Sequence, residues 1–193
     1  IIDDLQKLAK VEDPTRKTVG ASFVRRSEDP LHKIPEMIAW NQYYGWYYTK
    51  PHKLGDFLDQ IHEEEPVYKI GVSEYGAGGS VMHHEEKIRR PFPIFHEWHP
   101  EEYQTTVHEG NWKVINDRDY IWGSYIWNMF DFGSHFRREG DAIGMNDKGM
   151  VSYDRKTKKD VFFFYKANWS PKPVIHLTNS RFKIRKRDKI KVK

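Results

Sequence analysis

The chain of 193 residues is long enough for one sizeable domain, and an aromatic content of 15% excludes a disordered polypeptide. The absence of cysteine excludes disulfides, and no apolar run reaches the roughly 18 residues of a membrane-spanning helix. The net charge of +4 comes from the last 13 residues, without which 24 basic and 27 acidic side chains remain. The first ten residues lack the basic and apolar regions of a signal peptide, so the sequence indicates no compartment.

The first part of the chain predicts a helix followed by two strands. Apolar residues at 1, 5, 8 and 9 have helical spacing, and Asp13-Pro14 ends that helix. TVGASF (18–23) is a short buried strand, and MIAWNQY (37–43) is a strand that runs into an aromatic loop. The connection between these strands contains two prolines and can hold only a short helix.

The second part continues the alternation of strands and helices. The predicted order is a helix after Pro51, a strand at 69–75, a helix after Pro100, a strand at 120–129 and a helix at 160–169. Beyond the chain-breaking SPKP, apolar residues alternate from 174 to 192, as in the strands of a separate antiparallel module. Alternating strands and helices indicate an α/β fold with a parallel sheet. Four such units make half of a (β/α)₈ barrel; a doubly wound domain competes, but no GxGxxG follows the first strand.

The stretch KIGVSEYG (69–76) carries a carboxylate to the end of an otherwise buried strand. By strand alternation, Ile70, Val72 and Glu74 should share one face. Catalytic groups of parallel barrels lie at the carboxyl ends of strands, and burying an unpaired carboxylate is costly. Glu74 therefore fits either a nucleophile at a polar cleft or a structural ion pair. GVSEYG resembles the G-x-S-x-G turn that carries the nucleophilic serine of serine hydrolases. It does not match that motif, because Tyr75 stands at the position of the second glycine.

Two other strand ends are predicted to bring polar and aromatic side chains to the same rim. The set consists of Asn41, Tyr43, Tyr44 and Trp46 from the second strand, and Trp127, Asn128 and Asp131 from the fourth. Aromatic faces with amides and carboxylates suit a sugar, whose ring stacks while its hydroxyls form hydrogen bonds. Trp40 and Trp122 lie inside strands and are expected in the core, whereas Trp46 and Trp127 are assigned to the cleft.

Five ordered blocks resemble the family 2 glycoside hydrolases, especially their β-galactosidases. The blocks are WNQYYGWY, IGVSEYGAG, WHPEEYQ, YIWGSYIWNMFDF and NDKGMVSYDRKTKKDVFFFYKANW, and the resemblance extends from Asp3 to about Val192. It implies that residues 1–169 are strands five to eight of a catalytic TIM barrel. It also implies that residues 170–193 are a linker and the first strands of a β-sandwich domain.

The resemblance implies a retaining mechanism in which Glu74 is the nucleophile and Tyr43 hydrogen-bonds it, while Trp127 belongs to the sugar platform. Such enzymes need two carboxyl groups about 5–5.5 Å apart. The acid/base motif of the family, an Asn-Glu pair, does not occur in the chain. The second glutamate is expected upstream, so we expect the isolated chain to be an inactive fragment that self-associates or pairs with the missing half-barrel.

The sequence is consistent with two classes of substrate. Family 2 β-glucuronidases carry an Asn-x-Lys motif that binds the sugar carboxylate, and Asn146-Asp147-Lys148 fits it. FRREGDAIGMNDKG looks more like the galactosidase version of this loop, so a β-galactoside is favoured and a β-glucuronide is the alternative. The predicted substrate-binding residues are Asn41, Trp46, Trp127, Asn128, Asp131, Asn146 and Lys148.

No metal or other cofactor is expected. MHHEE (82–86) and HEWH (96–99) lack the HExxH spacing of a zinc site and are predicted to be polar loops at the cleft mouth. The basic C-terminus could bind a polyanion, but its period of two favours a solvated strand, so neither nucleic acid nor membrane is expected as a partner. A non-catalytic sugar-binding module is the remaining alternative, because only one catalytic carboxylate is identified.

Overall fold

A computed structural model describes residues 1–23, 27–91 and 96–186 of the chain. The helices are α1 (Ile2–Glu12), α2 (Leu54–Glu64), α3 (Glu101–Asn116) and α4 (Asp160–Trp169). The strands are β1 (Val19–Ser22), β2 (Met37–Asn41), β3 (Ile70–Tyr75), β4 (Ile121–Ile126), β5 (Phe132–Gly133) and β6 (Met145–Asn146). Short 3-10 turns at Pro30–Lys33 and Pro51–Lys53 complete these elements.

Strands β1 to β4 form one sheet in chain order, and each pairs in parallel with the next. The α/β fold with four parallel strands is therefore confirmed, and each strand end lies at the predicted residue or up to three residues inside it. The 3-10 turn at Pro30–Lys33 is the short helical piece expected between the first two strands. Strands β1 and β4 lie at the two edges, and β5 pairs antiparallel with β6 in a separate ribbon.

The main core lies between one face of this sheet and helices α2, α3 and α4. Helix α2 buries Leu54, Leu58 and Ile61, as its periodicity predicts. Trp40 of β2 belongs to this core, as expected, and is 1% exposed. Trp122 was also expected there, but it is only half-buried and does not belong to this core; its ring lies over Gly71, where a Cβ would come within 2.6 Å.

Strand β3 departs from regular alternation near its carboxyl end. Its pairing with β4 shifts register between Val72 and Tyr75. Tyr75 consequently joins Ile70 and Val72 in the core, whereas Glu74 does not. The prediction that Glu74 shares a face with Ile70 and Val72 is wrong, because an irregularity in the ladder interrupts the period of two.

The predicted β-sandwich strands are absent from the described part of the C-terminal segment. Residues 170–186 contain no strand, which contradicts the alternation pattern from 174 onward, and residues 187–193 lie outside the described residues. Apolar alternation forms a strand only where another strand supplies hydrogen-bond partners. Residues 170–186 have no such neighbour among the described elements.

Ion pairs hold this irregular segment against α3 and α4 instead. Arg181 Nε donates to Glu101 Oε2 at 2.9 Å, and Arg181 Nη2 donates to Asp160 Oδ1 at 3.0 Å. His176 Nε2 lies 2.9 Å from Asp160 Oδ1, and its ring stacks on Phe163 with centroids 3.8 Å apart. Part of the basic C-terminus therefore contacts the body of the molecule.

Candidate functional site

Glu74 and Tyr43 meet at the carboxyl end of the parallel sheet. Tyr43 Oη donates a hydrogen bond of 2.6 Å to Glu74 Oε2. Gln42 N donates to Glu74 O at 2.7 Å, which continues the pairing of β2 with β3 and brings both side chains to one rim. Burial and the hydrogen bond to Glu74 raise the pKa of Tyr43 well above its ordinary value, so the phenol keeps its proton and is the donor. The expected contact between these residues is present.

An open pocket of about 420 Å³ surrounds Glu74. Its walls include five more of the predicted site residues, namely Asn41, Tyr43, Trp127, Asn146 and Lys148, together with Phe23, Tyr47, Phe132, Ser134 and Arg137. Ser73 Oγ donates to Asn41 Oδ1 at 2.6 Å, which orients the Asn41 amide. The half-buried Trp127 ring meets Phe132 edge-on, with centroids 5.9 Å apart, and the Trp127–Asn128 peptide bond is cis.

Lys148 brings a buried positive charge to this pocket. Its side chain is 2% exposed, and Nζ lies 5.3 Å from the ring centroids of both Trp46 and Tyr47. Nζ has no hydrogen-bond partner among the residues that the structure describes. Lys148 N donates to Asn146 Oδ1 at 3.1 Å, so one turn holds both residues of the Asn-x-Lys motif. Because a buried ammonium without an acceptor is costly, this arrangement suits an anionic ligand.

Comparisons with known proteins find similar glycosidases, although no family model matches the chain. The chain is 48% identical over 185 residues to a β-glucuronidase of Bacteroides fragilis, and the match covers 95% of the chain and 26% of the relative. A candidate β-galactosidase from Bacteroides fragilis superposes with a TM-score of 0.87 at 36% identity, covering 96% of this chain and 28% of that one. The relatives that it matches are enzymes of the glycoside hydrolase family 2 type, the family that the sequence resembles.

A third similar structure contains a covalently bound ligand. Bacteroides uniformis β-glucuronidase 2, covalently bound to cyclophellitol-6-carboxylate aziridine, superposes with a TM-score of 0.80 at 33% identity. The match covers 94% of this chain and 21% of that chain. The chain therefore spans between 21% and 28% of the length of these relatives.

Three predicted substrate-binding residues, Trp46, Asn128 and Asp131, do not line the pocket around Glu74. Trp46 is fully buried and packs with Tyr103 and Val107 beneath Lys148, so its assignment to the cleft is wrong. Asp131 is also wrongly assigned, because its Oδ1 accepts a 2.8 Å hydrogen bond from Lys159 Nζ inside the protein. Sequence patterns place such residues near a rim, but their depth depends on the loops that cover them.

The environments of Asp131 and Asn128 indicate supporting roles. Burial raises the pKa of the Asp131 carboxyl to about 6, and Gly149 N donates to it at 2.8 Å. Asn128 does not line the pocket; its backbone N–H donates to Lys148 O at 3.2 Å, and its carbonyl accepts from Met150 N at 3.1 Å. Asn128 therefore fixes the segment that carries Lys148.

Sequence analysis missed Arg137 and Tyr47, which also line the pocket. Arg137 lies in the loop between β5 and β6, where its Nη1 contacts the Glu139 carboxylate and lies 3.4 Å from Tyr47 Oη. The segment FRREG (136–140) contains Arg137, but it was considered only for its likeness to the galactosidase version of this loop. Arg137 gives the pocket a second cation close to Lys148.

The histidine-rich stretches brace the structure rather than lining the pocket around Glu74. His99 Nδ1 lies 2.7 Å from Asp147 Oδ2, and both side chains are buried. His84 Nδ1 lies 2.8 Å from Glu102 Oε1. Within residues 1–23, 27–91 and 96–186, no group of three acidic or histidine side chains is placed to hold a metal. The same residues contain no helix with the length and apolar character needed to cross a bilayer.

Proposed function

We propose that the chain supplies the nucleophile of a retaining β-glycosidase that acts on β-glucuronides. The observation that carries this proposal is the buried Lys148 ammonium, which has no acceptor within the described structure and lines the pocket that contains Glu74. The resemblance in sequence favoured a β-galactoside. The Bacteroides fragilis relative named β-glucuronidase and the buried cation support the glucuronide alternative.

In this proposal Glu74 attacks the anomeric carbon and forms a glycosyl ester while the bond to the aglycone oxygen breaks and the acid/base residue protonates that oxygen. The same residue then deprotonates a water molecule, which hydrolyses the ester and releases the sugar and the Glu74 carboxylate. Tyr43 holds Glu74 Oε2 in place through its hydrogen bond. Glu74 is the only carboxylate that lines the pocket in the described structure, whereas retention needs a second about 5–5.5 Å away. We infer that the acid/base residue comes from a part of the enzyme outside this sequence.

The proposed architecture follows from the need for a second catalytic carboxylate from outside this sequence. Strands β1 to β4 correspond to strands five to eight of a (β/α)₈ barrel, and residues 1–169 form that half of the catalytic domain. Residues 170–193 are the linker to another domain. The parallel order, the two open sheet edges and the site at the carboxyl ends of the strands support this assignment.

Lys148 and Arg137 would bind the C6 carboxylate of a glucuronide. A galactoside presents a neutral hydroxymethyl group at that carbon, which would leave the buried ammonium with no anionic hydrogen-bond acceptor, since Glu139 Oε1 lies 4.0 Å away. Sites built around a charged partner discriminate strongly against ligands that lack it, because the buried group then stays unpaired.

The test is the selectivity of the full-length enzyme for nitrophenyl glycosides. We expect kcat/KM for the β-glucuronide to exceed that for the β-galactoside by at least about 10²-fold. Lys148→Gln should remove most of this preference, chiefly through a higher KM for the glucuronide. The control Lys166→Gln neutralises an exposed lysine of α4 and should preserve the preference. A wild-type enzyme that hydrolyses the galactoside equally well would refute the glucuronidase proposal.

A further inference from the structure

Glu139 is a buried carboxylate that the proposed mechanism does not use. It lies in the loop between β5 and β6 and is 3% exposed. Its Oε1 contacts Arg137 Nη1 and lies 4.0 Å from Lys148 Nζ. Its Oε2 is buried and has no hydrogen-bond partner within the described part of the chain. A half-satisfied carboxylate in such a position is costly, so its presence calls for a function.

The position of Glu139 relative to the pocket suggests that function. Arg137 and Lys148 line the pocket around Glu74, whereas Glu139 does not. A bound ligand would therefore meet the two cations and also experience the charge of the carboxylate that accompanies them. With Glu139 ionised, the three side chains carry one net positive charge.

This single net positive charge is complementary to a ligand that carries one negative charge. A single carboxylate neutralises the group formed by Arg137, Lys148 and Glu139. A doubly charged ligand would leave an excess negative charge beside a buried carboxylate, where electrostatic interactions are poorly screened. Specificity often depends on such a repulsive element as well as on attractive contacts.

We propose that Glu139 is a specificity-determining residue that admits singly charged acidic sugars and rejects doubly charged ones. The rejected class consists of sugars with a phosphate ester at C6, the carbon that is the carboxylate carbon of a glucuronide. This inference rests on the proposed function, because it takes the pocket around Glu74 as the sugar site. It adds to that function a charge limit that the Asn-x-Lys motif alone does not impose.

Binding calorimetry on the full-length enzyme tests the proposal with two matched ligands. Glucose 6-sulfate and glucose 6-phosphate have nearly the same shape, but near pH 7.5 the sulfate has one charge and the phosphate nearly two, since its second pKa is about 6. We expect the wild-type enzyme to bind the sulfate at least about tenfold more tightly. Glu139→Gln should reduce this preference by about tenfold, because it removes the repulsive charge while preserving side-chain shape.

Three controls separate charge from structural damage. Glu63→Gln removes the same charge from an exposed position on α2 and should leave the ratio of the two affinities unchanged. Glu139→Asp retains the charge and should keep the preference for the sulfate. In the wild-type enzyme, lowering the pH to about 5.5 makes the phosphate mostly a monoanion, so the preference should shrink without any mutation.

The outcomes distinguish this inference from the proposed function. Equal binding of sulfate and phosphate by the wild-type enzyme, or a preference that does not change with pH, overturns the role of Glu139 even if Glu139→Gln fails to fold. If the ratio of the two ligand affinities for Glu139→Gln stays within threefold of the wild-type ratio, the role of Glu139 is also overturned. If the wild-type enzyme binds neither these ligands nor glucuronic acid, the proposed glucuronidase site is wrong, and the charge limit fails with it.

Discussion

The Tyr43 phenol positions the Glu74 carboxylate. Its hydrogen bond of 2.6 Å fixes the position of Glu74 Oε2. Lys148 has the complementary role, because its buried ammonium has aromatic faces around it and needs an anionic partner. These residues give the proposed sugar site a nucleophile and an electrostatic anchor.

Substitution of the nucleophile is the sharpest test at the residue scale. Glu74→Gln keeps the shape of the side chain but cannot form the glycosyl ester, so kcat of the full-length enzyme on a nitrophenyl glucuronide should fall by at least about 10³-fold. Glucuronic acid should still bind, since the amide leaves the anion-binding end of the pocket intact. Glu63→Gln on the exposed face of α2 is the matched control. An unchanged kcat would show that Glu74 is structural.

At the element scale, a buried lysine joins the loops that form the site. Lys159 Nζ donates to Gly79 O at 2.6 Å, to Asp131 Oδ1 at 2.8 Å and to Asp147 O at 2.9 Å. These acceptors belong to the loop after β3, the loop after β4 and the turn that contains Lys148. The first residue of α4 follows Lys159 directly, so the helix anchors this junction.

We predict that Lys159→Met destabilises the fold by about 3–5 kcal/mol, because it leaves a buried carboxylate and two carbonyl groups without their donor. Urea unfolding monitored by circular dichroism measures this loss. KM for the glucuronide should also rise as the turn that carries Lys148 loosens. Lys166→Met, on the exposed face of α4, should stay within about 0.5 kcal/mol of the wild type. A loss below about 1 kcal/mol for Lys159→Met would contradict the anchoring role.

Helix α3 contributes a buried histidine that makes stability depend on pH. His108 Nε2 accepts from Ala77 N at 3.3 Å, which puts the ring proton on Nδ1, and Nδ1 lies 3.0 Å from Tyr165 Oη. Burial and the charge of Lys159 lower the pKa of His108 to about 3. The unfolded chain binds a proton below the ordinary pKa of about 6.5, whereas folded His108 does not.

The free energy of unfolding should therefore fall as the pH drops from about 6.5 toward 3, by up to about 1.4 kcal/mol per pH unit from His108. Urea unfolding at several pH values, for the wild type and His108→Gln, measures this contribution. The variant lacks the titrating ring, so its stability should fall less steeply over the same range. If the free energy of unfolding of the two proteins depends on pH in the same way, His108 does not make this contribution.

At the scale of the whole molecule, the β1 edge of the sheet lies beside exposed apolar side chains. Strand β1 is an edge strand, and helix α1 buries no residue; Ile2 is 44% exposed and Leu5 is 59% exposed. The helix and the strand line an open, largely apolar groove of about 410 Å³. An unpaired strand edge beside exposed apolar side chains is a surface that favours association.

We predict that the purified 193-residue chain self-associates at micromolar concentration and does not hydrolyse glycosides. The first effect comes from the open edge at β1, and the second from the lack of a second carboxylate in the pocket. Light scattering and a nitrophenyl glucuronide assay measure them. Leu5→Glu should reduce association by placing a charge in the groove, whereas Glu12→Gln at the far end of α1 should not. A monodisperse monomer with glycosidase activity would contradict both expectations.

The sequence by itself determined the four strands, their parallel order and the meeting of Glu74 with Tyr43. Apolar periodicity and strand-end positions are local properties, and neighbouring parallel strands bring their carboxyl ends to one rim. Only the tertiary structure decided the register shift in β3, the depth of Trp46 and Asp131, and the grouping of Glu139 with Arg137 and Lys148. Burial depends on how distant segments pack together, and no local pattern records which loop will cover a given side chain.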